Sequence, residues 1–355
     1  MPGDPPSAAP DEPTLADKVA FLSRPDAYPY PVEEVVRRET HMSWVFLAGS
    51  KVYKLKKPVR FPYLDFSTLE RREAACRAEF SLNCRLAPDV YIGVAPLVAT
   101  PRGLALGGAG RTVDWLVVMH RLDERWVLEE VLREGRLETG QLDRLVATLV
   151  GFYRHARPAY VSPGLHLAEW RSDLALNRRI LLEPRFGLPA GLVRRIDRVL
   201  HRFLAQRAGL LVSRVRRRRI VDGHGDLRPE HVWLDHRVRI IDCLEFNTRL
   251  RTVDPLDEVA FLTLECERLG GAWAGRYIKR GVEQGLHEDA PEELFLFYRC
   301  YRATLRARLA IAHLIEPKPR TPEKWPRLAR TYLAIAARDA RKLEACLRTR
   351  APPPS

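Results

Sequence analysis

Several features that would each fix the class of a protein are missing from this chain. There are six cysteines, Cys76, Cys84, Cys243, Cys266, Cys300 and Cys346, and no two of them form a C-x-x-C pair. This spacing lacks the ligand pairs of a zinc ribbon and does not suggest a disulfide framework, so reduced thiols in a cytoplasm are expected. No apolar run approaches the ~18–20 residues that a membrane-spanning helix needs. The opening residues, MPGDPPSAAPDEP, lack both the basic and the apolar segment of a secretory signal. A cytoplasmic protein with no membrane partner is therefore the expectation. Residues 1–14 and 348–355, rich in proline and alanine, are expected to be disordered tails. No internal repeat is visible. No zinc-finger spacing, RNA-binding motif or basic stripe interleaved with aromatics marks a specific nucleic-acid surface.

The chain has 355 residues, 59 of them Lys or Arg against 45 Asp or Glu, for a formal charge of +14. Such an excess favours polyanions in general, but arginine is interleaved with acids along the whole chain, as on solvated helix faces. Apolar residues make up 46% and charged residues 29%, a globular composition long enough for two lobes.

Two β-favouring runs, SWVFLAG and KVYKLKK, flank a Gly-Ser turn and read as a hairpin. In the second run Val52, Lys54 and Lys56 share one face and Tyr53, Leu55 and Lys57 the other. A helix should follow, with Ser67 and Glu70 as its capping box, Ala75, Ala78, Leu82 and Leu86 on one face, and Pro88 as its stop. VDWLVVMHRL (113–122) reads as a buried strand. Helical patterns then dominate, among them a stripe of Leu142, Leu145, Val146, Leu149 and Val150. Thr321-Pro322-Glu323 reads as a late helix start.

Residues 221–246, VDGHGDLRPEHVWLDHRVRIIDCLEF, carry the chemistry. Val232–Leu234 and Val238–Ile241 read as a second hairpin, with Asp226 before it and Asp242 at its exit. Phosphoryl transfer needs a carboxylate to orient and deprotonate an acceptor hydroxyl, and another to hold a divalent cation against the phosphates. Asp226 and Asp242 suit those two tasks in that order. Asp222, His224, Asp226, His231 and His236 also admit a metal-hydrolase reading, but Arg228-Pro229 interrupts the set and His236 falls on the turn.

HGDLRPEH followed by IIDCLEF resembles the catalytic loop and metal-binding segment of the aminoglycoside phosphotransferase and choline-kinase-like superfamily, which shares the protein-kinase fold. Over about 30–345 the chain looks like a bacterial group of uncharacterised phosphotransferase-like proteins, some fused to a P-loop kinase domain; no G-x-x-x-x-G-K-[ST] occurs here. The resemblance implies a two-lobed α+β fold. Its N-lobe would span 15–118, with an antiparallel sheet and one helix. The hinge would be 119–122, and a mainly helical C-lobe would span 123–347. It implies ATP and Mg²⁺ as cofactors and a small-molecule hydroxyl as acceptor, with Asp226 as the catalytic base, His224 beside it in the loop and Asp242 on the metal. Lys54 matches the lysine that grips the phosphates, with Lys56 as its alternative on the same strand face. Glu79 would be the acidic partner of that lysine, with Glu73 as the alternative. THMS (40–43), ending in Ser43, sits where the phosphate-covering loop would be. LVVMHRL, with Met119 and Leu122, matches the adenine-binding hinge. Asp257 in VDPLDEVAFL would brace the catalytic loop.

One departure stands out: His231 occupies the position of the family's second metal ligand, an asparagine. Imidazole suits Mn²⁺ or Zn²⁺ better than Mg²⁺. Three readings stay open: a preference for Mn²⁺, a single metal on Asp242, or a nucleotide-binding pseudokinase that regulates a protein partner. Arg214 and Arg216–Arg219 are a basic run that reads either as a solvated lead-in or as a funnel for anions. Arg299, Arg302 and Arg306 share one helical face, read either as a solvated face or as a grip for an acidic acceptor.

Overall fold

The computed structural model describes residues 12–61, 63–315 and 321–349. The tail expected at 1–14 lies outside the described residues up to position 11. That expected at 348–355 lies outside them from 350 onward, while Arg348 and Thr349 are helical. The chain forms two compact units: the first runs to Asp123 and takes in Ile241–Asn247, and the second comprises Glu124–Ile240 and the chain from Thr248 onward.

The first unit is built on one antiparallel sheet. Its strands are β1 (Val35–Glu39), β2 (Ser43–Ala48), β3 (Lys51–Lys56), β6 (Tyr91–Thr100), β7 (Gly103–Leu106) and β8 (Arg111–His120), in the order β1-β2-β3-β8-β6-β7. A short helix, α1 (Leu15–Leu22), precedes it, and a two-residue hairpin pair, β4 (Arg60–Phe61) and β5 (Leu64–Asp65), leads into α2 (Leu69–Asn83). Period-two alternation divides β3. Tyr53 and Leu55 enter a core with Phe46, Leu97 and Leu116, while Val52 packs on the other side with Cys76, Val117 and Met119.

Helix α2 differs from its sequence reading in three ways. Thr68, not Ser67, is the cap: its hydroxyl accepts the Arg71 N–H at 3.3 Å, while the Ser67 N–H and O–H are held by Asp65. The helix stops at Asn83, well before Pro88, and Leu86 lies beyond it. Its buried face carries Arg72, Glu79 and Asn83 beside Ala75 and Cys76, so it is polar where an apolar stripe was expected. Each polar group has a partner, which is what allows it to be buried. Arg72 reaches Asp114 at 2.7 Å, and Asn83 donates to the Glu79 carbonyl and accepts the Cys243 N–H.

The second unit is mainly helical: α3 (Leu128–Arg133), α4 (Thr139–His155), α5 (Pro163–Leu181), α6 (Ala190–Arg216), α7 (Thr248–Arg251), α8 (Pro255–Arg268), α9 (Ala272–Leu286), α10 (Glu292–Ala312) and α11 (Lys324–Thr349). Helix α10 is the centre and packs on α5, α6, α8 and α11. Leu142, Leu145 and Leu149 of α4 are buried as their spacing predicts. The α4 stripe meets α9 closely: a Cβ on Gly281 would sit 2.8 Å from Val146, and one on Gly285 2.5 Å from Val150. Helix α11 begins at Lys324, later than Thr321-Pro322 suggested, because Thr321 takes a left-handed φ of 47°. Four short strands, in two antiparallel pairs, complete the unit. β9 (Val221–Asp222) pairs with β12 (Thr252–Val253), and β10 (Val232–Leu234) with β11 (Val238–Ile240). Among the described residues no helix is long and apolar enough to cross a membrane.

Candidate functional site

In the first unit β3 and α2 bring Lys54 and Glu79 together. Lys54 Nζ lies 2.9 Å from Glu79 Oε1 and 2.8 Å from Asp242 Oδ1. Glu73 instead binds Arg77 one turn on, so Glu79 is the carboxylate that Lys54 meets. Lys56 is also on this cluster, 2.6 Å from Glu79 Oε2 and 2.5 Å from Glu245 Oε1. Burial alone would lower the Lys54 ammonium, but Asp242 and Glu79 outweigh it and hold it well above the ordinary lysine range. For Glu79, burial pushes the carboxyl up, and Lys54 and Lys56 reverse that and bring it down. Glu245 goes the other way, because its burial outweighs Lys56. Asp242 lies two residues beyond β11 and takes a left-handed φ of 64°, a conformation aspartate tolerates better than most residues.

The remaining nucleotide candidates in this unit are less open. Ser43 is buried at the start of β2, its N–H bonded to Thr40 Oγ1 at 2.9 Å and its carbonyl accepting the Thr40 N–H at 2.9 Å. Its backbone is thus committed to closing the 40–43 turn. Met119 is buried on β8 opposite Val52 and Tyr91, and Leu122 packs half-buried on the same cluster. Between them, His120 and Arg121 donate their N–H groups to Val90 and Ser50.

In the second unit a buried glutamate of α8 holds the HGD loop. Glu258 accepts the His224 N–H at 2.9 Å, the Gly225 N–H, and the Tyr153 hydroxyl at 3.0 Å. Asp257, expected in that role, instead takes both nitrogens of Arg302 at 2.6–2.7 Å. The correction is one position along α8, and helical rotation of ~100° per residue is its cause: Glu258 turns toward the loop and Asp257 toward α10. The D-P-L-D-E run offered both acids, and only the side-chain direction separates them. Gly223 is needed where it stands, since a Cβ there would sit 2.7 Å from Glu258 Oε2. His224, 1% exposed, accepts the Asp226 N–H on Nδ1 at 3.3 Å and so helps to shape the loop.

The Asp226 carboxylate accepts Arg228 Nη2 at 2.8 Å. Burial would raise its pKa, yet Arg228, His231 and Arg306 outweigh burial and hold it below the usual range. The Asp226 carbonyl lies 2.9 Å from His231 Nδ1. A carbonyl can only accept, so Nδ1 carries the proton, and in the neutral ring Nε2 carries the lone pair. That lone pair lies 3.3 Å from Arg228 Nη2. A metal on Nε2 would have to displace the guanidinium.

The arginines at 299, 302 and 306, and Arg214 of the basic run, meet acids within the second unit. Arg299 and Arg302 are 8% and 6% exposed, not on an open face. Arg299 binds Asp339, Thr263 and Glu267, and Arg302 binds Asp257. Arg306 is half-buried on Glu265 and Tyr332. The reason is the central place of α10, whose arginines meet acids from α8 and α11. Arg214 likewise grips Asp254 at 2.6 and 2.8 Å as well as Glu288, and Arg217 meets Asp289. Arg214 therefore anchors the start of α8, while Arg216, Arg217 and Arg218 are exposed.

The cluster around Glu79 holds two ammonium groups and three carboxylates, and Asp242 is the most exposed carboxylate, at 46% against 1% for Glu79 and 8% for Glu245. An oxygen donor on a negatively balanced cluster fits Mg²⁺, which commonly uses one or two carboxylates and takes its other ligands from phosphates and water. Among the described residues no group of three or more His, Cys, Asp and Glu is arranged to hold a metal ion, and His236 is 79% exposed on its turn.

Solved structures with the same fold include two phosphotransferases. Aminoglycoside 2'-phosphotransferase-IIIa, solved as its GDP complex, superposes with a TM-score of 0.57 at 15% identity, covering 91% of this chain and 99% of its own. Choline kinase from Cryptosporidium parvum superposes with a TM-score of 0.51 at 9% identity, covering 88% and 90%. The chain shares the two-lobed, protein-kinase-like α+β fold of these structures. In sequence it is similar to the uncharacterized proteins Rv2004c of Mycobacterium tuberculosis and Mb2027c of Mycobacterium bovis. Each is 34% identical over 301 residues, which is 83% of this chain and 58% of theirs. The chain thus spans rather more than half the length of these curated relatives. No family model matches it.

Proposed function

We propose that the chain is an ATP-dependent phosphotransferase that moves the γ-phosphate to a hydroxyl of a small molecule. The observation that carries this reading is the Lys54–Glu79–Asp242 constellation, in which a half-buried, charged lysine touches both a helix glutamate and a more exposed aspartate. In this reading Lys54 binds the phosphates and Asp242 holds Mg²⁺, which supplies charge neutralisation as the phosphoryl group transfers. Asp226 orients the acceptor hydroxyl and takes its proton, and Glu258 keeps the loop that carries it in place. Met119 and Leu122 border the adenine. Support comes from the fold, from the GDP complex of one structural neighbour, and from the small-molecule acceptors in the neighbours' names.

A second reading has its own observation. Arg228 occupies the Asp226 carboxylate and faces the His231 lone pair, an arrangement that suits a nucleotide-binding protein without turnover that regulates a partner. The deciding experiment is transfer of label from γ-labelled ATP to a pooled metabolite extract, with wild type and Asp226→Ala, in Mg²⁺ and in Mn²⁺. Label entering a metabolite with wild type alone establishes the transferase and names the acceptor. ATP binding with no label in any pool selects the regulatory reading.

A further inference from the structure

Glu79 holds two lysines, and the phosphotransferase reading uses only one. We infer that Lys56 and Glu245 are positioning residues: they hold Glu79 from its far side and thereby set the affinity of Lys54 for nucleotide phosphates. The inference rests on the reading of Lys54 as the phosphate lysine.

The geometry is a chain of alternating charges. Asp242 Oδ1 meets Lys54, Lys54 meets Glu79 Oε1, Glu79 Oε2 meets Lys56, and Lys56 meets Glu245 Oε1, each step between 2.5 and 2.9 Å. The two lysines are two residues apart on β3, so strand alternation sets them on one face about 6.6 Å apart. Each oxygen of one carboxylate then takes one of them. Asp242 and Glu245 are three residues apart on the segment after β11. A K-x-K pattern on the strand is thus met by a D-x-x-E pattern on that segment, with Glu79 bridging between.

Burial explains why a second lysine is useful. Lys56 and Glu79 are each 1% exposed. A buried carboxylate that loses its counter-charge is strongly penalised. Were Lys54 the sole partner of Glu79, its movement onto a nucleotide phosphate would strand the glutamate. With Lys56 on Oε2, Glu79 keeps a cation throughout, and Lys54 can divide its bonds between Glu79 and a phosphate. Lys56 also fixes the rotamer that aims Oε1 at Lys54. Glu245 completes the balance by keeping Lys56 charged, and the Phe66 ring 5.0 Å from its ammonium closes the site on that side.

The test is Mg-ATP binding to the full chain by titration calorimetry, for wild type, Lys54→Ala, Lys56→Met, Lys56→Arg, Glu245→Gln and the Lys54→Ala/Lys56→Met double variant, with a thermal melt of each. Lys56→Met and Glu245→Gln are expected to weaken binding about 10-fold, and Lys56→Arg to recover most of it. In the Lys54→Ala background Lys56→Met should add less than about 2-fold, because Lys56 acts through Lys54. Two outcomes overturn the inference: unchanged affinity in Lys56→Met and Glu245→Gln, or an equal loss whether or not Lys54 is present, which marks a purely structural pair. If Lys56→Met does not fold, the nearly isosteric Glu245→Gln, alone and combined with Lys54→Ala, carries the same comparison. Wild type that binds no Mg-ATP, or Lys54→Ala that binds as wild type does, refutes the phosphate-lysine reading itself and this inference with it.

Discussion

Removing the Glu258 carboxylate should detach the HGD loop from α8. In Glu258→Ala the His224 and Gly225 N–H groups lose their acceptor, as does the Tyr153 hydroxyl. The hydroxyl can rotate to another partner, but the backbone groups cannot, and Glu258 is only 1% exposed. At ~1–3 kcal/mol for each stranded donor, the two amides alone cost about 2–6 kcal/mol. Part is returned, since burial raises the Glu258 pKa and the ionised group is itself penalised, so the net loss should be about 3 kcal/mol. Glu258→Gln keeps Oε1 for both amides and offers its own N–H to the Tyr153 oxygen, so it should cost about 1 kcal/mol. Urea denaturation of the three proteins at constant pH measures the difference. The raised pKa fixes the sign of its pH dependence. The stability tied to protonated Glu258 is complete below the unfolded pKa and is lost as pH rises through the folded one. The gap between wild type and Glu258→Gln should therefore narrow as pH rises from the acid side. Equal stability of the alanine and glutamine variants would refute the assignment of Glu258 as the loop's anchor.

The other expectations concern the second unit. Arg302→Ala leaves Asp257 buried and unpaired, so it should cost about 3–5 kcal/mol of stability by thermal or urea unfolding; an unchanged transition would return Arg302 to an open basic face. Glu267 is partly buried, and burial pushes its pKa up, but Arg338 and Arg299 outweigh that and lower it. Its contribution to stability is thus present above the unfolded pKa and lost as pH falls through the folded one. Wild type should lose its advantage over Glu267→Gln in acid, and an advantage that grows in acid would contradict the pairing. Gly223→Ala brings a Cβ to 2.6 Å from Val253 and 2.7 Å from Glu258. Overpacking of that kind should cost about 1–3 kcal/mol and slow any phosphate transfer, whereas a variant with unaltered melting and rate would show that the loop has room.

Local periodicity determined much of the framework. The 43–56 hairpin, the buried strand at 111–120, the 232–240 hairpin and the 139–155 helix can each be read from apolar spacing and turn residues, because pleat and helix repeat impose those patterns on neighbouring positions. The reading slipped at helix ends, where α2 stops at Asn83 before Pro88 and α11 starts at Lys324 after Thr321, and between adjacent polar residues. Ser67 and Thr68 are both competent caps, and only the Asx turn of Asp65 onto Ser67 decides between them. Asp257 and Glu258 are adjacent acids, and only their rotation about α8 assigns one to Arg302 and the other to the loop.

The sequence by itself determined which residue types carry charge at 54, 56, 226, 242 and 245, and the elements on which they ride. What only the tertiary structure decided is who neutralises whom. The acids that silence Arg299 and Arg302 come from α8 and α11, and those that meet Lys56 come from positions 79 and 245. A one-dimensional pattern records side-chain direction along its own element but not the partner that another element brings within 3 Å. For charged groups in a low-dielectric interior, that partner decides whether an arginine is a binding surface or a structural ion pair.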